Sequence, residues 1–119
     1  MKKLLLIGAT AIGLAAPAHA TGGLICKTAG PRPVTLALVI SHTVVSSVVS
    51  ARLNENGREV SVATAQSWLD PTEVRVDLVD RNAMRHELRL RASWRAVSRS
   101  YDGSIWRNGK RRWIRCREG

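Results

Sequence analysis

The chain of 119 residues contains no phenylalanine and a single tyrosine, so its four tryptophans supply most of the aromatic bulk. It has only two cysteines and three histidines, and none of them lies at the spacing of a metal site or of a C-x-x-C redox pair. Nucleophile-elbow, P-loop and dinucleotide-binding motifs are also absent. We therefore predict a protein that is not an enzyme and that binds neither a metal nor a cofactor.

The N-terminus has the pattern of an export signal. Two lysines are followed by an apolar run over residues 4–16, too short to cross about 30 Å of hydrocarbon as a helix. Residues 18–20 form the small-x-small pattern that a signal peptidase cleaves. The sequence thus predicts a signal peptide at residues 1–20 and a single periplasmic or secreted domain at residues 21–119. No later apolar run would make this an integral membrane protein.

The two cysteines, Cys26 and Cys116, lie near opposite ends of the predicted domain. In an oxidising compartment, a pair of this kind predicts a disulfide that joins the first strand to the last. Closing so long a loop would contribute on the order of 4–5 kcal/mol to stability.

Apolar and polar residues alternate along most of the predicted domain, and turn residues separate the runs. Predicted strands include Thr35–Ile40, Val44–Leu53 and Glu59–Thr64, the last two joined by a hairpin loop at residues 54–57. Residues 86–97 have a helix-favouring composition, but five apolar residues in strict alternation predict a strand there. The fold class is therefore all-β: a small antiparallel barrel or sandwich of about seven strands with one disulfide.

Positive charge is concentrated in the C-terminal third. Residues 85–117 contain eleven lysines and arginines against two acidic residues, whereas residues 21–84 contain six of each sign. This asymmetry is typical of a surface that binds polyanions. The alternative is a solvated basic face, because an arginine-rich composition also arises from genomic base bias.

The clearest local signal is Asn108-Gly109 between two extended runs, since a type I′ turn needs positive φ at both central residues. This turn predicts four cross-strand pairs: Arg107 with Lys110, Trp106 with Arg111, Ile105 with Arg112, and Tyr101 with Cys116. One hairpin face would point into the core and carry Tyr101, Ile105, Ile114 and Cys116. The opposite face would carry Asp102, Trp106, Arg111, Trp113 and Arg115.

Tryptophans interleaved with arginines provide stacking and cation–π surfaces beside fixed positive charge. The predicted ligand-binding set is Trp106, Arg107, Lys110, Arg111, Arg112, Trp113 and Arg115. The expected partner is an anionic glycan, a lipid head group or a protein; nucleic acid fits the chemistry, but export disfavours it. Two alternatives stay open: a Trp–Arg ladder that only stiffens the hairpin, and burial of both hairpin faces. Trp68 and Trp94 are predicted to lie in the core.

The terminal cysteines, together with Tyr101 and the Trp106-x-x-Gly109 segment before the last cysteine, resemble the membrane-bound or periplasmic inhibitors of c-type lysozyme. The resemblance implies a small barrel that inserts a serine-bearing loop and a basic residue into the lysozyme cleft. Carried over to this chain, it implies Ser98 or Ser100, beside Tyr101, as the inserting serine and Arg107 as the basic partner. The sequence departs from the family pattern at Arg99, where glycine is expected, and at Asn108, where lysine is expected.

The leading expectation is thus an exported, non-enzymatic protein that binds an anionic ligand through its C-terminal hairpin. A periplasmic inhibitor of c-type lysozyme is one alternative, and a structural subunit of an envelope assembly is another.

Overall fold

The computed structural model describes residues 21–42 and 46–119, so the predicted signal peptide lies outside the described residues. The described part of the chain is all-β, as predicted, with nine strands rather than about seven and no helix. The strands are β1 (Thr21–Thr28), β2 (Val34–His42), β3 (Ser46–Glu55), β4 (Arg58–Val60), β5 (Ala63–Leu69), β6 (Glu73–Val79), β7 (His86–Arg95), β8 (Ser100–Arg107) and β9 (Lys110–Glu118).

These strands form one antiparallel sheet in the order β4-β3-β2-β1-β9-β8-β7-β6-β5. The first strand therefore pairs with the last, and the two halves of the chain, β1–β4 and β5–β9, meet along the β1–β9 ladder. The sheet curls into a half-barrel that brings β5 against β3, where Ser67 Oγ donates a hydrogen bond to the carbonyl of Val48 at 3.4 Å. The curled sheet encloses a single apolar core.

The core follows from period-two alternation, because every second side chain of the long strands points into the half-barrel. Fully buried aliphatic side chains from both halves of the chain meet there, among them Leu36, Leu53, Leu78, Leu88, Leu90, Ile105 and Ile114. On β8, a Cβ at Gly103 would overlap the carbonyl of Arg91 and the Cα of Ala92 on β7. The missing side chain thus permits the close approach of β7 and β8.

The predicted disulfide is confirmed. Cys26 on β1 and Cys116 on β9 are directly opposite one another, bonded and fully buried. Residues 86–95 form a strand, so alternation and not local helix propensity decides their structure. The C-terminal hairpin turns at Asn108 and Gly109, with φ values of 53° and 74°, and all four predicted cross-strand pairs are present.

The strand predicted at residues 59–64 is wrong as a single element. It divides into β4 and β5 because Val62 is buried in the core where the chain leaves β4 and crosses to the other edge of the sheet. The loop predicted at residues 54–57 is a two-residue turn at Asn56 and Gly57, both with positive φ. The first two residues of the strand predicted from Val44 lie outside the described residues.

The two ends of the half-barrel differ, and both matter for the sites described below. At the Arg107 end, β8 finishes, β9 begins and β2 begins. At the Trp94 end, β7 and β9 finish and β1 begins. No helix among the described residues is long and apolar enough to cross a membrane.

Candidate functional site

The C-terminal hairpin presents the two faces that its sequence predicts. Ile105, Ile114 and Cys116 are fully buried on the inner face, and Tyr101 is half-buried beside them. On the outer face, Trp106 is 39% exposed and Trp113 is 49% exposed. The alternative in which both hairpin faces are buried is therefore wrong.

Three basic residues of the predicted binding set do not share the surface of the two tryptophans. Alternation places Arg107, Lys110 and Arg112 on the same side as Ile114, because the Asn108-Gly109 turn pairs residue 107 with residue 110. The guanidinium of Arg112 reaches over the Arg107 end and donates hydrogen bonds to the carbonyls of Ala29 and Arg32 at 3.1 and 3.0 Å.

Arg107 forms an ion-pair cluster with two glutamates at the same end of the half-barrel. Its side chain is only 10% exposed and lies 3.0 Å from both Glu55 Oε1 and Glu87 Oε1. The hydrogen bonds from Arg107 lower the pKa of Glu55, and those from Arg85 and then Arg107 lower the pKa of Glu87. Since Glu55 ends β3 and Arg107 ends β8, the cluster ties the two halves of the chain together across the barrel end. Arg107 therefore contributes to structure rather than to an exposed binding surface.

The remaining hairpin residues form a connected group on the outer face. Arg115 makes two hydrogen bonds of 2.9 Å to the carboxylate of Asp102, and its guanidinium carbon lies 5.1 Å from the ring centre of Trp113. The pKa of Asp102 is lowered chiefly by the hydrogen bonds from Arg115. Arg111 donates to Ser104 Oγ at 3.0 Å. These contacts orient Trp113 and hold its surroundings in place.

Trp68 and Trp94 are not core residues, and that prediction is wrong. Trp68 is 51% exposed on the outer side of β5, where its Nε1 donates to Asp70 Oδ2 at 2.8 Å and the guanidinium of Arg75 lies over its ring at 5.9 Å. Trp94 is 41% exposed at the Trp94 end. The core is filled by aliphatic side chains, so the tryptophans are left for the surface.

Trp68 and three arginines extend the hairpin surface across the neighbouring strands. Consecutive cross-strand pairs place five residues in one row over β9, β8, β7, β6 and β5, namely Trp113, Ser104, Arg91, Arg75 and Trp68. A parallel row contains Arg111, Trp106, Arg89 and Asp77. We call the combined surface of Trp68, Arg75, Arg89, Arg91, Trp106, Arg111, Trp113 and Arg115 the outer Trp/Arg face. Its four inter-strand steps span roughly 19 Å.

The charges on this face are only partly compensated. Arg89 pairs with Asp77 at 2.9 Å, and Arg75 approaches Glu73 at 3.6 Å. Arg91, which lies between them in the sheet, has no carboxylate within 4 Å among residues 21–42 and 46–119. A shallow depression of about 260 Å³ surrounds these guanidiniums and the ring of Trp68. The arrangement offers an anion several guanidinium donors beside an aromatic wall.

Period-two alternation along β5 and β6 is the sequence signal that places Trp68 on the outer side of the sheet. Trp68 shares a strand face with Gln66, and Arg75 alternates with the buried Val74 and Val76. Both patterns put the polar side of β5 and β6 outward. The shortage of other aromatic residues favours Trp68 as a core residue, but alternation along the strand outweighs it.

The loop residues implied by the lysozyme-inhibitor resemblance lie in and after the turn between β7 and β8. Ser98 and Ser100 hydroxyls are 2.7 Å apart, and the fully buried Ser100 donates onward to Asp102 Oδ1 at 2.8 Å. Tyr101 lies at the other side of the strand, where its hydroxyl donates to the carbonyl of Asp70. The serines and Arg107 are thus held by intramolecular contacts at opposite ends of the half-barrel.

Comparison of the chain with protein-family models, with curated proteins and with solved structures finds no match. The function of this chain is therefore inferred from its own residues.

Proposed function

We propose that this chain is an exported, non-enzymatic protein that binds an anionic glycan on its outer Trp/Arg face. The observation that carries the proposal is the exposure of Trp68, Trp106 and Trp113 on one side of the sheet, with arginines between them. A folded domain normally keeps such large apolar rings covered, and exposed aromatic groups amid charge are enriched where partners bind. A ladder that only stiffened the hairpin would not require Trp68, which lies four strands from Trp113.

Charge supports an anionic ligand. Arg91 has no acidic partner among the described residues, and the acids that face its neighbours, Asp77 and Glu73, leave the surface with an excess of guanidiniums. Guanidinium groups form forked hydrogen bonds to carboxylate, sulfate and phosphate groups. They lose little side-chain entropy in doing so, because the planar group presents its donors in a fixed geometry.

The compartment and the shape of the surface narrow the ligand class. A structural disulfide is typical of proteins that work in an oxidising environment, and it supports the proposal of a ligand outside the cytosol. The outer Trp/Arg face is a strip of indole rings separated by charged and hydroxyl side chains, and the exposed Ile25 lies beyond it on β1. A linear polymer of charged sugars fits such a strip better than a lipid surface does, since sugar rings stack on indoles while their charged groups meet the arginines.

The test is retention on immobilised heparin, followed by affinity measurements with heparin oligosaccharides at several salt concentrations. We expect retention that weakens steeply with salt, since binding releases counterions from the polymer. Arg91→Gln should weaken binding and reduce the slope of log affinity against log salt by about one. Arg58→Gln, which removes the same charge from an exposed position on β4, is the matched control and should bind as the parent protein does.

Three results would contradict the proposal. Equal losses in Arg91→Gln and Arg58→Gln would mean that net charge alone causes retention. Undiminished binding after Trp113→Leu would mean that the indole ring of Trp113 does not contribute to binding. Preferential binding to anionic vesicles over the soluble polymer would assign the face to a membrane instead of a glycan.

A further inference from the structure

A second feature lies at the Trp94 end, away from the outer Trp/Arg face. A cavity of about 800 Å³ opens there between the beginning of β1 and the ends of β5, β7 and β9. Its walls combine apolar side chains, among them Leu24 and Leu69, with the rings of Trp94 and Tyr101 and with charged groups at the opening. Small-molecule sites commonly have volumes of about 300–1,000 Å³ and occur in the mouths of β-barrels. The size and the position of the cavity are therefore those of a site for a small organic ligand.

The aromatic wall of the cavity is held in a fixed geometry. The rings of Trp94 and Tyr101 pack edge to face with their centres 5.1 Å apart. The hydroxyl of Tyr101 donates to the carbonyl of Asp70 at 2.9 Å, and the backbone N–H of Trp94 donates to the carbonyl of Thr72 at 2.7 Å. Both residues are thus anchored to the turn between β5 and β6. Since Trp94 remains 41% exposed, much of its ring is available to a ligand.

Glu118 brings one negative charge to the opening. It lies opposite Leu24 on the β1–β9 ladder, and alternation places both on the side of the sheet that carries the buried Cys116. Its neighbour Arg117 lies opposite the exposed Ile25, so the guanidinium of Arg117 points to the outer surface. Alternation thus leaves the carboxylate of Glu118, and not that guanidinium, on the cavity side of β9.

Asp70, directly after β5, brings a second negative charge. Hydrogen bonds from Thr72 and Trp68 to its carboxylate are the main reason that its pKa falls to about 2, so the group is ionised at neutral pH. Burial raises the pKa of Tyr101, and the charges of Asp70 and Glu118 raise it further. A phenol that is harder to ionise beside two carboxylates indicates a negative potential inside the cavity.

The balance of charge at the cavity favours a cation. Arg99, in the turn between β7 and β8, lines the opening with one guanidinium, which is outnumbered by the carboxylates of Asp70 and Glu118. The face of an indole or phenol ring also attracts a cation, and the attraction is strongest where water is excluded. The rings of Trp94 and Tyr101 therefore act in the same direction as the two carboxylates.

The hydrogen bonds already made at the cavity select the kind of cation. Oδ1 of Asp70 accepts hydrogen bonds from Thr72 and Glu73 at 2.7–2.9 Å. Its Oδ2 accepts one from the indole of Trp68 at 2.8 Å. A primary ammonium would bring three N–H donors to acceptors that are largely occupied, and a buried donor without a partner costs free energy. A quaternary ammonium has no N–H group to satisfy, keeps its charge and presents methyl groups to the apolar walls.

We propose that the cavity binds a small molecule that carries a quaternary ammonium group. The ammonium group lies against the ring of Trp94 and near the carboxylate of Glu118, and the apolar walls contact its methyl groups. This site is separate from the proposed glycan-binding surface, because the cavity and the outer Trp/Arg face share no lining residue.

The experiment is titration of the protein with choline and with 3,3-dimethylbutan-1-ol, followed by amide chemical shifts. The alcohol is the uncharged isostere of choline, in which carbon replaces the quaternary nitrogen. We expect one saturable site for choline and at least about tenfold weaker binding of the alcohol, because only the cation is attracted by the carboxylates and the ring faces. Ethanolamine, which has a primary ammonium in the same place, should also bind more weakly than choline.

Three results of this titration would overturn the proposal. The first is equal affinity for choline and the alcohol, the second is tighter binding of ethanolamine than of choline, and the third is the absence of saturable choline binding.

Variants at the opening test the role of charge. Glu118→Gln should weaken choline binding about fivefold and leave affinity for the alcohol unchanged. Glu59→Gln is the matched control, because it removes the same charge from an exposed position on β4 outside the cavity lining. Arg99→Asn provides a test of opposite sign: it tolerates the positive φ of 54° at this position and should tighten choline binding. Equal effects of the two glutamate variants would overturn the proposal, and so would weaker binding of choline by Arg99→Asn.

The position of the cation is checked by the proton spectrum of choline, because an indole ring shifts upfield the signal of methyl groups that lie over its face. The upfield shift should be lost in Trp94→Leu and should persist in Trp113→Leu. The reverse result would place the cation on the outer Trp/Arg face and overturn the cavity assignment. Heparin retention is measured separately, so failure of either proposal leaves the other standing.

Discussion

Reduction of the Cys26–Cys116 bond should lower the free energy of unfolding by an amount that follows from the length of the closed loop. The bond closes a loop of 90 residues between the first and last strands. The chain-entropy model gives about 4–5 kcal/mol for a loop of this length at 25 °C. The expected effect is large because the bond spans the β1–β9 ladder, where the two halves of the chain pair. Their other contacts are the packing of β3 on β5 and the Arg107 cluster.

Urea unfolding of the oxidised and the reduced protein measures this difference. A loss of about 4–5 kcal/mol corresponds to a fall in Tm of roughly 20 °C or more for a domain of this size. Because both sulfurs are fully buried, reduction requires transient opening, and the reduced sample should be prepared by refolding in reductant. The double variant C26A/C116A is the control, since reductant should not change its stability. A difference below about 1 kcal/mol between oxidised and reduced protein would contradict a major contribution of the disulfide to stability.

Three further predictions concern the packing of the same half-barrel. Arg107→Met removes the guanidinium that pairs with Glu55 and leaves Glu87 with Arg85 alone, and it should cost about 3 kcal/mol in urea unfolding. Arg52→Gln, which breaks an exposed pair, should leave the midpoint unchanged, and equal losses would contradict a special role for the cluster. Gly103→Ala should destabilise by about 3 kcal/mol or prevent folding, because the new Cβ overlaps the β7 backbone, and a Tm equal to that of the parent would contradict the packing described above. Because Glu55 and Glu87 have lowered pKa values when folded, their stabilising effect is complete above about pH 5 and is lost as the pH falls through and below their unfolded value near 4.3. A scan of Tm from pH 7 to pH 3 should show this acid limb, and Arg107→Met should flatten it.

Much of this fold could be predicted because its determinants are local or depend on the two ends of the chain. The Asn108-Gly109 turn fixes the hairpin register by the φ values that it needs, and the alternation along residues 86–95 outweighs their helix propensity. The disulfide could be predicted because the chain has only two cysteines and because the predicted signal peptide implies an oxidising compartment. The division of residues 59–64 into two strands could not be predicted, because it depends on where β5 must begin at the far edge of the sheet and not on its own sequence.

The candidate site was harder to predict, because its members come from strands that are distant in the chain. The hairpin sequence locates Trp106 and Trp113, but only the sheet order brings Trp68 into the same row. Arg107 and Arg112 are close to those tryptophans in sequence, which predicts them among the ligand contacts, whereas alternation assigns them to the other face. A count of charges along the chain cannot separate residues that neutralise acids within the fold from residues that are free to bind.

This distinction bears on whether the arginine content reflects function or base composition. A compositional bias would distribute arginine over solvent-exposed positions without regard to partners. In the half-barrel the arginines have distinct structural settings: Arg107 and Arg112 hold carboxylates and carbonyls at one end, and Arg115 orients Trp113 through Asp102. Arg91 lies in the middle of the outer Trp/Arg face with no acidic partner in the described structure, although Asp77 and Glu73 are paired with its neighbours on either side. A guanidinium left uncompensated between compensated ones is what a binding surface requires, and replacing Arg91 is therefore the sharpest single test of the proposed glycan site.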